Sequence, residues 1–193
     1  AIHLVTPRLK VSPWTLAIAE NFLVIPKWRE DFDALKHKPY WSQQQLKTLL
    51  THVELSNYNR ELINWRVDDP LYREFILSPV IDPNDTELAW RRPLWESFYP
   101  RIRKENSILA AARIIARHLR ERVTIADGPF PSGVDTIWLR QITDRTGFEK
   151  IYVAAMRSAG IAARLNSEGR AEFWDGVAWQ LAPRPAVEQW DNL

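Results

Sequence analysis

The first two thirds of the chain carry apolar residues at helical spacing, in segments that proline residues separate. Apolar positions that recur every three or four residues give a helix one face for the core. The clearest case is the stripe formed by Ile108, Ala111, Ala112, Ile115 and Leu119. The pattern predicts helices after Ser12-Pro13 and over 28–36, 42–53, 57–66, 70–77, 85–98 and 107–123.

The pattern changes in the last third of the chain. Proline and glycine over 126–133 predict a loop, and a short helix is expected over 135–142. Thr146 and Glu149 have the spacing of a capping box, which predicts a helix over 147–159 that Gly160 ends in a left-handed conformation. Alternation then predicts strands over 161–165, 171–174 and 179–181, with Asp175-Gly176 as a hairpin turn. Helices followed by short strands indicate an α+β fold with a short antiparallel sheet.

Composition excludes several classes of function. The chain has 193 residues, a formal charge of +2 and no cysteine, so disulfides, thiolate metal sites and a cysteine nucleophile are excluded. No apolar run is long enough to span a membrane. The basic stretch 101–122 is interpreted as a solvated helix face, and no nucleic-acid partner is expected. Because the chain starts at Ala1, we expect an upstream secretion signal or lipid anchor.

Candidate catalytic groups are sparse. The four histidines lack metal-ligand spacing, no cofactor motif accompanies them, and His118 is interpreted as structural. Most of the ten tryptophans are expected in the core, but Trp174 and Trp179 beside the hairpin turn are candidates for a binding surface. Two groups of carboxylates are interpreted as cap and turn formers, with acid/base catalysis by facing pairs as the alternative: Asp82, Asp85 and Glu87 in one, Glu168, Glu172 and Asp175 in the other.

Residues 153–164 (VAAMRSAGIAAR) resemble the helix-to-strand segment of the transglutaminase-like superfamily, in which the active-site helix ends in Leu-Arg-x-x-Gly-Ile-Pro-Ala-Arg. The stretch 172–179 is similar to the strands that follow in that family. Residues 75–79 with Glu87, Trp90 and Arg91 resemble the helical lead-in of its Bacteroides-type branch. The resemblance covers about 143–185, and more loosely 68–123.

The resemblance implies a papain-like core with a Cys–His–Asp triad, the cysteine at the start of the active-site helix. Counted along the motifs, the three positions fall on Arg145, Glu168 and Ala182, or Arg184 for the last. The chain has no cysteine and no histidine after His118, so acyl transfer through a thioester is excluded. The resemblance therefore implies a degenerate family member, a pseudoenzyme.

We expect a helical region over 1–100 and a transglutaminase-like core over 101–193, in one compact unit that belongs to a longer protein. The predicted function is a binding or scaffold module for peptide or cell-envelope glycan, without metal or cofactor, in the periplasm or at the surface of a bacterium. Arg145 and Glu168 are expected either to form an ion pair that fills the groove where the family has its active site, or to present opposite charges to a ligand. The predicted binding residues are Arg145, Glu168, Glu172, Trp174 and Trp179.

Two alternatives to the binding module stay open at the level of sequence. The first is a hydrolase that uses carboxylates from the groove, namely Glu168 with Glu172 or Asp175. The second is a purely structural domain of a larger protein. A pair of facing carboxyls with one raised pKa would favour the hydrolase, an exposed Trp174 would favour binding, and a filled groove would favour the structural domain.

Overall fold

The computed structural model describes residues 26–36 and 42–183, which form a mixed α+β fold that is mostly helical. This confirms the predicted class, while the helix expected after Ser12-Pro13 lies outside the described residues. The helices are α1 (Pro26–Lys36), α2 (Gln43–Leu62), α3 (Asp69–Tyr72), which continues into a π-helical segment (Arg73–Leu77), α4 (Arg91–Ile102), α5 (Ile108–Arg122), α6 (Val134–Arg140) and α7 (Arg145–Ser158). The strands are β1 (Thr124–Ile125), β2 (Ile142–Thr143), β3 (Ala163–Leu165), β4 (Ala171–Trp174) and β5 (Trp179–Leu181).

Helix α2 is continuous, whereas the sequence predicted a break between Val53 and Asn57. It begins after Ser42, which forms a capping box. Asparagine disfavours helices because its side chain competes for nearby backbone groups. Here the Asn57 amide donates to Asp31 Oδ2 in α1 at 2.9 Å and to the Val53 carbonyl at 3.0 Å. A tertiary hydrogen bond therefore holds the side chain, and the predicted break is wrong.

Helix α4 begins at Arg91 rather than at residue 85. The segment before it forms a turn, because Asp85 Oδ2 accepts hydrogen bonds from the backbone N–H groups of Ile81 and Asp82, each at 2.9 Å. A carboxylate that bonds to nearby backbone offers the chain an alternative to a helix. The next predicted helix, 107–123, is confirmed as α5, with its N-cap at Ser107.

The start of α7 differs from the prediction. The N-cap is Asp144, whose side chain accepts from Gly147 N–H at 2.7 Å, so the capping box proposed for Thr146 does not form. Glu149 instead accepts from the backbone N–H of Ala171 at 2.7 Å, which ties α7 to β4. Local spacing could not reveal this partner, because it lies beyond the helix in the sequence.

The end of α7 agrees with the prediction. Gly160 adopts a φ of 78°, and its N–H donates to the Arg157 carbonyl at 3.2 Å. The Ile161 N–H donates to the Met156 carbonyl at 3.0 Å, which completes a Schellman motif. Glycine is favoured here because an L side chain is strained at this φ.

The strands β3, β4 and β5 form an antiparallel sheet in that order. Ala163 lies opposite Phe173, and Trp174 lies opposite Trp179. Strands β4 and β5 have the predicted bounds, and the first strand is shorter than predicted. The Asp175 N–H donates to the Ala178 carbonyl at 3.1 Å, so the two-residue turn between them is Gly176-Val177 rather than the predicted Asp175-Gly176.

A second, parallel pairing of β1 with β2 was not predicted. Thr124 lies opposite Ile142, and Ile125 lies opposite Thr143. The sequence placed residue 142 at the end of a helix, but Gln141 has a φ of 58° and ends α6. Two-residue strands are too short to show an alternating pattern.

Helix α7 is the centre of the larger core, and it packs against α4, α5, α6, β3 and β4. Ile63 and Trp65 share this core with Ala155 and Phe173. A smaller core joins α1, α2 and the π-helical segment, and Trp174 and Trp179 pack against it. Helix α4 runs across the boundary expected between residues 100 and 101. The same core therefore contains side chains from both predicted regions.

Candidate functional site

The three positions that the resemblance aligns with the catalytic triad lie on different elements. Arg145 is the exposed first residue of α7, and Glu168 lies in the exposed turn between β3 and β4. The Glu168 N–H donates to Asn166 Oδ1 at 2.9 Å. Ala182 follows β5, is 7% exposed, and donates its N–H to the Ala171 carbonyl at 2.9 Å. Ala182 thus contributes an apolar side chain and one backbone hydrogen bond, whereas Arg145 and Glu168 have charged groups at the surface. The alternative position for the triad aspartate, residue 184, lies outside the described residues.

The remaining predicted binding residues come together on one face of the sheet. The register pairs Arg164 with Glu172 and Trp174 with Trp179, and cross-strand partners project to the same face. Phe75, from the π-helical segment, contacts Trp179 with a ring-centroid separation of 4.8 Å. We call these five residues the aromatic platform. Alternation along the strands places the four strand residues on one face, and the packing of the π-helical segment adds Phe75.

Within the aromatic platform, Arg164 is the central polar group. Its Nε donates to Glu172 Oε2 at 3.1 Å, and its guanidinium lies 4.1 Å from the ring centroid of Trp179. Trp174 and Trp179 contact each other edge to face, at a centroid separation of 5.8 Å. Both indoles are half-buried, whereas 38% of the Arg164 side chain is exposed. The surface therefore presents a cation beside partly covered aromatic rings.

Asp175, at the edge of the aromatic platform, is a turn former. Its Oδ1 accepts from the N–H groups of Val177 and Ala178, each at 2.8 Å, and its Oδ2 accepts from Gln180 Nε2 at 3.0 Å. The backbone hydrogen bonds from Ala178 and Val177 lower the pKa of Asp175. A general acid of the glycosidase type needs a raised pKa, so Asp175 is unsuited to that role.

The acidic loop before α4 is tied to two other elements. Asp85 forms a buried ion pair with Lys150 of α7. Glu87 accepts from the Thr136 N–H at 2.8 Å and from its hydroxyl at 2.6 Å, which caps α6. Burial raises the pKa of Asp135, whose Oδ2 accepts from the Ala89 N–H at 3.0 Å and whose Oδ1 is buried without a hydrogen-bond partner in the described residues. Asp85 and Glu87 thus form a turn and a cap, as the sequence indicated.

Two arginines from the resembling segments are buried. Arg157 donates from Nε to the Ala163 carbonyl at 2.9 Å and from Nη1 to the carbonyls of Ser78 and Val80 at 3.0 and 2.8 Å. Burial lowers the pKa of Arg157 to about 10, which keeps it charged at neutral pH. Its hydrogen bonds join the end of α7 to β3 and to the segment that follows the π-helical segment.

Arg91 continues this network. Its guanidinium donates to the Arg157 carbonyl at 2.5 Å, to the Leu77 carbonyl at 3.3 Å and to the Ile76 carbonyl. These carbonyls lie at two helix ends, where partial negative charge favours a cation. Burial, and then the charge of Arg157, lower the pKa of Arg91 to about 9. Sequence reasoning noted Arg91 and Arg157 as motif residues and did not foresee that they meet.

His52 completes the network. It accepts at Nδ1 from Arg91 Nε at 3.0 Å, so its Nε2 carries the proton and donates to the Leu88 carbonyl at 2.6 Å. Burial and the charge of Arg91 lower the pKa of His52 well below its ordinary value. His52 is therefore a neutral structural residue with both ring nitrogens occupied.

His118 also has structural partners. Its Nε2 lies 3.0 Å from Ser97 Oγ, and its ring packs edge to face on Phe98 at a centroid separation of 5.3 Å. The Nδ1 atom is 3.8 Å from Glu121 Oε2, which is too long for the hydrogen bond that would orient an acyl-transfer base. Burial, and then the charge of Arg101, lower the pKa of His118. The geometry favours the structural interpretation made from the sequence.

Across residues 26–36 and 42–183, no three acidic or histidine side chains converge where a metal ion could bind. In the same part of the chain, no helix combines the length and apolarity needed to cross a membrane. Two of the polar groups described above involve the predicted motif and binding residues, namely the buried Arg91–Arg157–His52 network and the aromatic platform. In comparisons with protein-family models, curated proteins and solved structures, the chain has no match.

Proposed function

We propose that this chain is a catalytically inactive, transglutaminase-like module that binds peptide or glycan at the cell envelope through the aromatic platform. The observation that carries the proposal is that Arg164 is held in place while part of its side chain stays exposed. Its guanidinium is positioned by Glu172 at 3.1 Å and by the Trp179 ring at 4.1 Å, yet 38% of the side chain remains exposed. Such a site suits a ligand that has both a polar edge and an apolar face.

Support for the family assignment comes from the motif residues. In the resembling segment 153–164, Gly160 ends the helix at a φ of 78°. Arg157 bonds to the Ala163 carbonyl at 2.9 Å and so fixes the strand relative to the helix. A helix, a sharp stop and an antiparallel sheet in this order are what the resemblance implies. The periplasm or cell surface follows from the same resemblance and is part of the proposal.

A non-catalytic role is supported by how the candidate catalytic groups are occupied. Asp175 is held by backbone N–H groups, which lower its pKa. Glu172 accepts hydrogen bonds from Arg164 and from Asn166, at 3.1 and 3.2 Å. His52 has both ring nitrogens occupied. These groups are already used by the fold, which favours binding over hydrolysis.

A titration series tests this proposal. Wild-type protein, the Arg164→Gln variant and an Arg117→Gln control on the exposed face of α5 are titrated with peptides and chito-oligosaccharides while tryptophan emission is followed. We expect saturable binding by wild type and control, and about tenfold weaker binding by Arg164→Gln, because a charged hydrogen bond is lost. Saturable binding that Arg164→Gln leaves unchanged would contradict the role of the platform. Absence of binding by every ligand, or turnover of a ligand by the wild type, would contradict the proposed function.

A further inference from the structure

A small cavity of about 50 Å³ lies between the C-terminal half of α2, the segment that follows it, and α3 with the π-helical segment. Apolar walls come from Ile63, Trp65 and Val67. The Trp65 ring is held in place, since its Nε1 donates to the Gly160 carbonyl at 3.0 Å. The wall of the cavity that Trp65 forms is therefore fixed by a hydrogen bond.

Ser56 of α2 lines this cavity and is fully buried. Its Oγ has no hydrogen-bond partner within residues 26–36 and 42–183. Leaving a buried hydroxyl unpaired costs free energy, and native proteins pair the great majority of such groups. The serine therefore points to a polar atom that enters the cavity from outside the fold.

Arg60 and Arg66 also line the cavity and supply its charge. Arg60 is already committed, because it forms an ion pair with Asp69 at 2.5 Å and stacks on Tyr72 at 3.9 Å. Asp68, an acidic residue two positions after Arg66, also has a structural partner, since its Oδ1 caps α3 by accepting from the Leu71 N–H at 3.0 Å.

Arg66 differs from Arg60. It is exposed and donates from Nη1 to the carbonyls of Ile63 and Trp65, at 2.8 and 3.0 Å, which holds its guanidinium in place. Its Nη2 makes no hydrogen bond to any residue of the described ranges, 26–36 and 42–183. Arg66 thus provides a positioned cation for a carboxylate.

The volume limits what can enter. A water molecule needs roughly 10–15 Å³ of cavity volume, so a cavity of about 50 Å³ admits about three or four non-hydrogen atoms. Whole small-molecule ligands occupy pockets of several hundred Å³, so this cavity suits one end group of a larger ligand. A small side chain that carries a hydroxyl matches both the volume and Ser56.

We propose that this cavity binds the C-terminal residue of a peptide, with a serine or threonine side chain beside Ser56 and the terminal carboxylate on Arg66. Capture of a chain-end carboxylate is a known mode of peptide recognition. The inference rests on the proposed binding function and adds to the aromatic platform a second site, lined by other residues, whose ligand is a peptide with a free C-terminus.

The test uses three otherwise identical N-acetylated peptides with the whole chain. One ends in threonine with a free carboxylate, one in threonine amide, and one in valine, which has nearly the same shape, with a free carboxylate. We expect the amide to bind about tenfold or more weakly, because a charged hydrogen bond is lost, and valine about three- to tenfold more weakly. Equal affinity for all three peptides would overturn the inference.

Two variants assign the two contacts. Arg66→Gln should remove the preference for the free carboxylate, while the Arg117→Gln control retains it. Ser56→Ala should remove the preference for threonine over valine, and because the unpaired hydroxyl is lost, its melting temperature should be equal to or above that of the wild type. Retention of either preference in its variant would overturn the inference. Binding of glycans alone, sensitive to Arg164→Gln, would overturn it too and would leave the proposed binding function standing.

Discussion

The chain uses arginine in two opposite settings. Arg157 is 3% exposed, and its guanidinium donates to three backbone carbonyls, one in β3 and two in the segment that follows the π-helical segment. Arg164, seven positions later, contacts one carboxylate and two aromatic rings and keeps 38% of its side chain exposed. The same side chain therefore joins elements in one place and forms part of a surface in the other.

The difference teaches that burial, rather than residue type, decides what a charged group contributes. A buried guanidinium must have its donors paired, because water cannot reach them, and so it has little capacity left for a ligand. A half-exposed guanidinium held on an aromatic face loses little conformational freedom on binding and retains free donors. We therefore expect changes at Arg157 to affect stability, and changes at Arg164 to affect binding.

The largest effect is expected from Arg157→Met. Methionine fills similar volume but leaves the carbonyls of Ser78, Val80 and Ala163 without their donor, so the free energy of unfolding should fall by about 3–5 kcal/mol. Urea denaturation measures the change, with Arg117→Met on the exposed face of α5 as the control. A loss no larger than that of the control would show that the buried network does not support the fold.

Gly160→Val should have the next largest effect. A Cβ at Gly160 would lie 2.8 Å from Ile63 Cδ1, and the φ of 78° strains any L side chain. We expect a loss of about 2–3 kcal/mol in denaturation experiments. Gly169→Val separates the two causes, because Gly169 has a φ of 74° and no atom within 4 Å of its Cβ position. Equal losses for both variants would mean that strain alone, without packing, accounts for the effect.

The pH dependence of stability reports on His52. Its pKa in the folded protein is lowered, so below about pH 6.5 the unfolded chain binds a proton that the folded protein does not. The free energy of unfolding should therefore fall as the pH drops from 7 to 5, by at most about 2 kcal/mol. His118, whose pKa is also lowered, contributes in the same direction but is partly exposed.

Denaturation of His52→Gln and His118→Gln across this pH range separates the two histidines. His52→Gln should reduce the pH dependence of the free energy of unfolding more than His118→Gln does, because the ring of His52 is fully buried. If His118→Gln removed the larger part of this pH dependence, the argument from burial would be contradicted.

The smallest effect on stability is expected from Arg164→Gln. The ion pair with Glu172 and the contact with Trp179 are partly exposed, so their loss should cost less than about 1 kcal/mol. Thermal unfolding measures this directly. A loss as large as that of Arg157→Met would remove the distinction between the two arginines.

Sequence reasoning was most successful where the signal is local. The apolar stripe of α5, the left-handed Gly160 and the bounds of β4 and β5 all follow from residues within one turn or one strand. Prediction from the sequence failed where a partner far away along the chain decides the local structure. The Asn57 side chain bonds to Asp31 in another helix, and Glu149 bonds to the backbone of Ala171 in β4.

The candidate site shows the same division. Their position around the predicted hairpin turn brought attention to Glu172, Trp174 and Trp179, which do share one face. Arg164 was noticed only as a motif residue, and Phe75 reaches the platform from a helix far away in the sequence. Their roles depend on how the π-helical segment packs on the sheet, which no spacing along the chain encodes.

The most direct test of the central claim is an NMR titration of the tryptophan indole N–H signals with the peptides and chito-oligosaccharides named above. If the aromatic platform binds ligand, the indole signals of Trp174 and Trp179 should shift with saturable dependence on ligand. The indoles of Trp90 and Trp95, which donate to Pro79 and Asn59 inside the fold, should not. Shifts at Trp90 or Trp95 without shifts at Trp174 and Trp179, or no shifts at all, would contradict the claim.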